Sequence, residues 1–184
     1  MAIWTIDKAH SEIGFKIKHL VISTVSGKFT SFEGKLEGEP EDFKNAKISF
    51  AADVDSIHTG NDQRDGHLKS ADFFDAANYS KLTFTSIKIE QKDGSEYKVT
   101  GDLTIKDVTK PVTLKVEFGG IQNNLYGQTV AGFEITGKIN RQDFGLTWSA
   151  VTEVGGIVVS DEVKLVIDAE LVKEAVAAEV AEQV

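Results

Sequence analysis

Strict alternation of apolar and polar residues runs through most of this chain, and few architectures accept it. Ile13, Phe15 and Ile17 share one parity against Lys16 and Lys18. Ala46, Ile48, Phe50, Ala52 and Val54 oppose Lys47, Ser49, Asp53 and Asp55. The same pattern recurs at Tyr97–Ile105, Val112–Phe118, Ala131–Ile139 and Val163–Ile167. Successive side chains of a strand point to opposite faces, so each run has one dry and one wet face. That is the habit of antiparallel sheets. No βαβ rhythm appears, which argues against a parallel sheet.

About eight strand-like runs can be counted along the 184 residues, enough for one ordinary domain. A sheet with one solvated face must close on itself or stack on a second sheet. Closure of about eight strands leaves an interior that either holds one ligand or is filled by side chains. Between Leu82 and Glu90 the phase flips, from Leu82 and Phe84 to Ile87 and Ile89, so Ser86 is a candidate bulge. Turn signals fall at Asp93-Gly94-Ser95, Gly119-Gly120, Asn123-Asn124 and Gly155-Gly156. Pro40 and Pro111 sit at the edges of runs, where a missing N–H is tolerated.

One segment breaks the alternation. "RDGHLKSADFF", Arg64 to Phe74, places Arg64, His67, Leu68 and Ala71 on one helical face. A short helix is expected over residues 61–72, with Asn61 or Asp62 as its cap. Phe73 and Phe74 then act as anchors, and the segment either closes one barrel end or packs only for stability. In the tail, Val172, Val176, Val180 and Val184 recur every four residues. Residues 172–184 read as a frayed terminus or a short docked helix, separate from a barrel over 1–171.

The formal net charge is −9, with no long block of lysine or arginine. This disfavours nucleic acid and anionic membrane surfaces as partners, and leaves an apolar ligand open. The absence of cysteine excludes disulfides, thiolate catalysis and cysteine-rich metal sites. No secretory leader and no run of membrane-spanning length is visible, so a cytoplasmic, non-spanning protein is expected. The histidines, His10, His19, His58 and His67, lack zinc-like local spacing, and no metal is expected. Asp53 and Asp55 begin like a calcium loop, but Ile57 and His58 stand where a ligand and a glycine are needed. The Gly27-Lys28 and Gly34-Lys35 pairs lack the hydroxyl of a phosphate-binding loop. Ser11 and His10 are neighbours on a strand and point apart.

Six stretches occur in order: "WTIDKAHSEIGFKIKHL" (Trp4–Leu20), "GKF" (Gly27–Phe29), "RDGHLKSADFFD" (Arg64–Asp75), "LTF" (Leu82–Phe84), "GDLTIKDVTKPVTL" (Gly101–Leu114) and "NRQDFGL" (Asn140–Leu146). Together they resemble the YceI-like family of polyisoprenoid-binding proteins, over roughly Ile3 to Leu171. The resemblance implies an all-β fold: an eight-stranded antiparallel, lipocalin-like barrel with a helical element near one end. It implies an apolar pore for an isoprenoid or another long-chain amphiphile, carried or stored, with no cofactor, no catalytic activity and a homodimeric state.

Pore candidates are Phe15, Ile17, Phe29, Phe50, Val54, Phe84, Leu103, Ile105, Leu114, Phe133, Ile135 and Trp148. Head-group candidates are His19, Arg64 and His67. Arg64 could instead hold its loop by pairing with Asp65, Asp75 or Asp143, and His19 could be a hydrogen-bonded core histidine. Two alternatives stay open: an enzyme acting on a bound lipid through His19, His67 and Asp65, and a ligand-free scaffold. The chain departs from the family at Ser80, often proline, and at Asp107, often glycine, where only local changes are expected.

Overall fold

The computed structural model describes residues 1–150 and 158–175. The strands are β1 (Ile3–Ile6), β2 (Glu12–His19), β3 (Ser23–Phe29), β4 (Phe32–Glu37), β5 (Lys47–Asp53), β6 (Ile57–His58), β7 (Lys81–Asp93), β8 (Glu96–Ile105), β9 (Val108–Asn123), β10 (Thr129–Asn140) and β11 (Val159–Lys173). The pairs β1–β2, β3–β4 and β5–β6 each follow one line, broken by a short turn. Eight staves result, each antiparallel to its neighbours.

Closure depends on β11. Its C-terminal end pairs with β1, Trp4 opposite Lys173 and Ile6 opposite Leu171. Its earlier part pairs with β2, Ile13 opposite Ile167 and Ile17 opposite Val163. The fold is therefore a closed antiparallel barrel.

The expected irregularities have physical causes. The register slips between Ser86 and Lys88, as the phase change requires, and the Ser86 hydroxyl accepts the Ile48 N–H at 2.9 Å. Pro111 lies inside β9 rather than at its end, paired opposite Asp102. The last β9–β10 pair is Leu114 with Gly137, so at Pro111 the strand has already lost β10 as a neighbour. At the β8–β9 turn the left-handed residue is Lys106, with φ 56°, and not Asp107. Val172 belongs to β11, opposite Thr5 and Val130, so the barrel wall outruns the expected boundary at 171. The remaining tail valines, Val176, Val180 and Val184, lie outside the described residues.

The helix, α1 (Asp62–Lys69), stops three residues short of the expected end. Asn61 caps it by accepting the Arg64 N–H at 2.9 Å. Ser70 ends it, its N–H and hydroxyl both donating to the His67 carbonyl, which leaves Ala71 exposed beyond the helix. Phe73 and Phe74 fasten the chain just beyond the helix to the barrel, Phe74 edge-on to Phe29 at 6.2 Å and Phe73 against Trp148 at 5.4 Å.

The two ends of the barrel differ. A 3-10 segment, Pro40–Asn45, folds across the end near the chain's N-terminus. Its Phe43 is 2% exposed and sits 4.8 Å from the Tyr97 ring and 5.3 Å from Phe133. Trp4, Leu36 and Ala131 complete this packed plug. The other end carries α1, the β2–β3 turn and residues 141–150. Phe43→Ala removes the centre of the plug and should cost about 3–5 kcal/mol in chemical denaturation. A loss below ~1 kcal/mol would show that the plug contributes little.

Candidate functional site

The inward faces of the staves do not meet in the middle of the barrel. They enclose a half-open cavity of about 660 Å³ that reaches from the Phe43 plug to the α1 end. That lies inside the range of ligand pockets, roughly 300–1,000 Å³, and far above the ~150 Å³ void that accepts benzene.

Glycines keep it open. Phe15 lies flat over Gly27 of the adjacent strand, with ring atoms 2.3–2.9 Å from where a Cβ would stand. Phe84 lies over Gly101 in the same way, at 2.4 Å, and Leu114 covers Gly137 at 2.6 Å. Three large inward side chains thus lie along the wall and leave the lumen free.

Of the expected pore residues, Phe15, Ile17, Phe29 and Phe50 line the cavity from the first staves. Phe84, Leu103, Ile105 and Leu114 line it from β7, β8 and β9, and Phe133, Ile135 and Trp148 from β10 and the segment after it. Val54 does not. β5 ends at Asp53, and Val54 opens a 3-10 turn in which its N–H donates to the Ser80 carbonyl. The period-2 pattern outlasts the strand by one residue there, and Ile57 lines the wall instead.

The mouth carries most of the polar groups. His19, Arg64 and His67 all border the cavity, together with Lys18, and among the described residues no carboxylate lines it. Arg64 is not paired with Asp65, Asp75 or Asp143. Its Nε donates to the Thr59 hydroxyl and its Nη2 to the Thr59 carbonyl, both at 2.8 Å. Asp65 is buried and accepts both the Thr59 N–H and the Thr59 hydroxyl, so Thr59 sits between the two charges. Among the described residues two of Arg64's five donors are used. His67 bonds Asp72 at 2.9 Å and packs edge-on against Phe73 and Trp148 at 5.1 and 4.8 Å. The His19 ring makes no hydrogen bond among the described residues, and the residue is half-buried.

His10 lies far from the mouth, on the outer surface beside Asp7 and Glu170. These three converge, but Asp7 already accepts the Ala9 N–H and bonds the His10 ring at 2.8 Å. That bond raises the His10 pKa and lowers that of Asp7.

One residue of the mouth has no role that the sequence pattern alone brings out: Arg141. It is 2% exposed. Its guanidinium donates to the carbonyls of Ser160, Leu146 and Trp148 at 2.9, 2.6 and 2.7 Å, and lies 3.3 Å from Asp161. Burial pushes its pKa down, and Asp161 pushes it back up. Arg141 therefore clasps the segment after β10 to the start of β11 and sets the position of Trp148. A signal for it exists, because Arg141 continues the inward parity of Ala131, Phe133, Ile135 and Ile139.

The YceI-like domain family matches residues 4–171, the whole closed barrel but its last strand end. The chain belongs to the YceI-like family. A UPF0312 protein of Staphylococcus aureus is 42% identical over 171 residues, covering 92% of this chain and 97% of that one. Among solved structures, a YceI protein of Campylobacter jejuni has a TM-score of 0.74 at 38% identity, covering 92% of this chain and 96% of that one. BcnA of Burkholderia cenocepacia has a TM-score of 0.79 at 25% identity, covering 90% and 98%. A polyisoprenoid-binding domain of Saccharophagus degradans shares the fold, with a TM-score of 0.64 at 17% identity over 93% and 98% of the two chains. Among the described residues of this YceI-like barrel, no helix is long and apolar enough to cross a membrane.

Two substitutions check this geometry. Arg141→Ala leaves several buried carbonyls unpaired and should lower stability by about 3–5 kcal/mol in urea unfolding; an unchanged midpoint would refute the clasp. Gly27→Val drives a side chain into the Phe15 ring and should cost roughly 1–3 kcal/mol, much of it regained in Gly27→Val with Phe15→Leu. Additive losses in that pair would refute the contact.

Proposed function

We propose that this YceI-like barrel binds a long-chain isoprenoid or similar amphiphilic lipid in its lumen and serves as a carrier or store. The observation that carries the reading is the 660 Å³ cavity, lined mainly by aliphatic and aromatic side chains, with His19, Arg64 and His67 at its mouth. The solved relative from S. degradans is described as a polyisoprenoid binding domain, which supports the same ligand class. A lipid would lie with its chain toward the Phe43 plug and its head group among His19, Arg64 and His67. The cations at the mouth favour an acceptor-rich or anionic head.

Magnitudes divide the work between the two parts. Each buried methylene contributes about 0.8 kcal/mol, so a fifteen-carbon tail gains roughly 12 kcal/mol before ordering costs. A charge-assisted hydrogen bond adds about 1.5–3 kcal/mol. The lumen sets affinity and the mouth sets selectivity. A binding role is favoured over a catalytic one because Asp65, the acid of the catalytic alternative, does not line the cavity; its Oδ1 accepts from Thr59 and its Oδ2 lies 3.6 Å from His58. The homodimer expected from the family belongs to this proposal too, and light scattering should then give twice the chain mass.

Organic extraction of purified protein followed by mass spectrometry should recover about one amphiphile per barrel; its absence from several preparations would end the proposal. Phe15→Glu, which places a charge on the apolar wall, should lower lipid retention far more than His67→Ala. Equal retention by the two variants would reverse the assignment of affinity to the lumen.

A further inference from the structure

The β2–β3 turn stands at the mouth with its apolar side chains in water. Leu20, Val21 and Ile22 are 39%, 70% and 85% exposed. The Ile22 N–H donates to the His19 carbonyl at 3.3 Å, closing a turn whose central residues, Leu20 and Val21, have φ of 53° and 65°. Such a turn normally takes Asn-Gly, because both positions need the left-handed region. A branched side chain at positive φ is an outlier. The turn is therefore unfavourable twice over, in backbone conformation and in exposed apolar surface, and a partner that covers it would offset both.

Charge identifies the partner. The protein carries −9 overall, yet no acidic residue lies between Glu12 and Glu33, where Lys16, Lys18 and Lys28 fall. Lys16 also stands directly opposite Lys164 of β11. Like charges so placed repel each other. Among the described residues, neither Lys16, Lys18 nor Lys164 has a carboxylate within 4.0 Å; Lys18 bonds only Thr24. The net charge of the whole chain thus hides a local group of lysines below an apolar tip, bordered by Glu162 and Asp161 of β11, which lie 3.7 Å from Lys138 and 3.3 Å from Arg141.

We propose that this hairpin docks the barrel on an anionic lipid bilayer, Leu20, Val21 and Ile22 entering the acyl boundary, Lys18 lying among the phosphates, and Lys16 and Lys164 standing just outside them within electrostatic reach. The spacing suits this. At about 3.3 Å per residue, Lys18 and Lys16 lie roughly 7 and 13 Å from Leu20 along the strand. The headgroup layer is roughly 5–8 Å deep, and charges act about 8–10 Å beyond it. A second copy of the chain fits worse, because three aliphatic side chains fall well short of the ~800 Å² per partner of a stable interface. The Leu20 N–H is bonded to the Val158 carbonyl, and His19 and Val158 line the cavity, so docking sets the open mouth against the bilayer. The surface interaction does not require a lipid in the lumen.

Sedimentation with vesicles of equal parts phosphatidylglycerol and phosphatidylcholine, compared with pure phosphatidylcholine, tests this. The wild-type protein should bind the anionic vesicles, and salt should release it. Leu20→Asn with Val21→Gly should reduce binding roughly tenfold while raising the melting temperature, a pairing that a merely structural turn would not give. Lys16→Gln with Lys18→Gln should remove the preference for phosphatidylglycerol without changing the fold. Leu125→Ser with Tyr126→Ser, in exposed residues at the opposite end, should leave binding intact. The proposal is overturned if the wild type ignores anionic vesicles, if the Asn-Gly variant binds them equally, or if the control variant loses as much. It is also overturned if light scattering shows the Asn-Gly variant breaking a dimer, since the turn would then be a subunit contact.

Discussion

The lumen exists because aromatic rings lie over glycines. Phe15 on Gly27 and Phe84 on Gly101 are cross-strand contacts so close that any side chain on the glycine would collide with the ring. Each pairing turns a residue that could plug the barrel into part of its wall. Without them, eight staves of this composition would bury their phenylalanines against one another, and the barrel would be a packed core with no interior. A closed sheet only makes an interior possible; the glycines decide that side chains do not fill it.

The two ends then divide the labour. At one, Phe43, Tyr97 and Phe133 pack as an ordinary core and supply stability. At the other, charge and strain accumulate. Arg141 is buried among carbonyls, Asp65 is buried against Thr59, and Leu20 and Val21 hold positive φ. Each of these is unfavourable alone, and each stands at the rim of the cavity. Arg141 has the widest reach, because it joins the segment carrying Trp148 to the strand that closes the sheet.

Much of this is legible in the residues. The period-2 pattern marks the strands and most of the wall, and the phase flip marks the bulge at Ser86. The pattern misleads where it runs past a strand end, at Val54, and where a turn is read by residue type, at Asp107 in place of Lys106. Alternation says which way a side chain points only while the strand lasts. It also cannot name a partner: Arg64 reaches Thr59, an uncharged neighbour five residues away, because Asp65 already holds that threonine. Arg141 escapes a reading by pattern for a related reason. A charged residue on inward parity reads as an exception at a strand end, whereas here the carbonyls of two converging segments supply its partners.

The claim that carries the most weight is that the space inside is greasy and not filled by the protein's own side chains. Titration with a fluorescent polyene fatty acid after removal of bound lipid tests it directly, comparing the wild-type protein with one filled by Ile17→Trp and Ile135→Trp, whose side chains border the cavity. Saturation near one equivalent in the wild type, and its loss in a filled variant of unchanged melting temperature, is the expected result. A signal that never saturates, or that saturates alike in both proteins, would mean that the fatty acid binds somewhere other than the lumen.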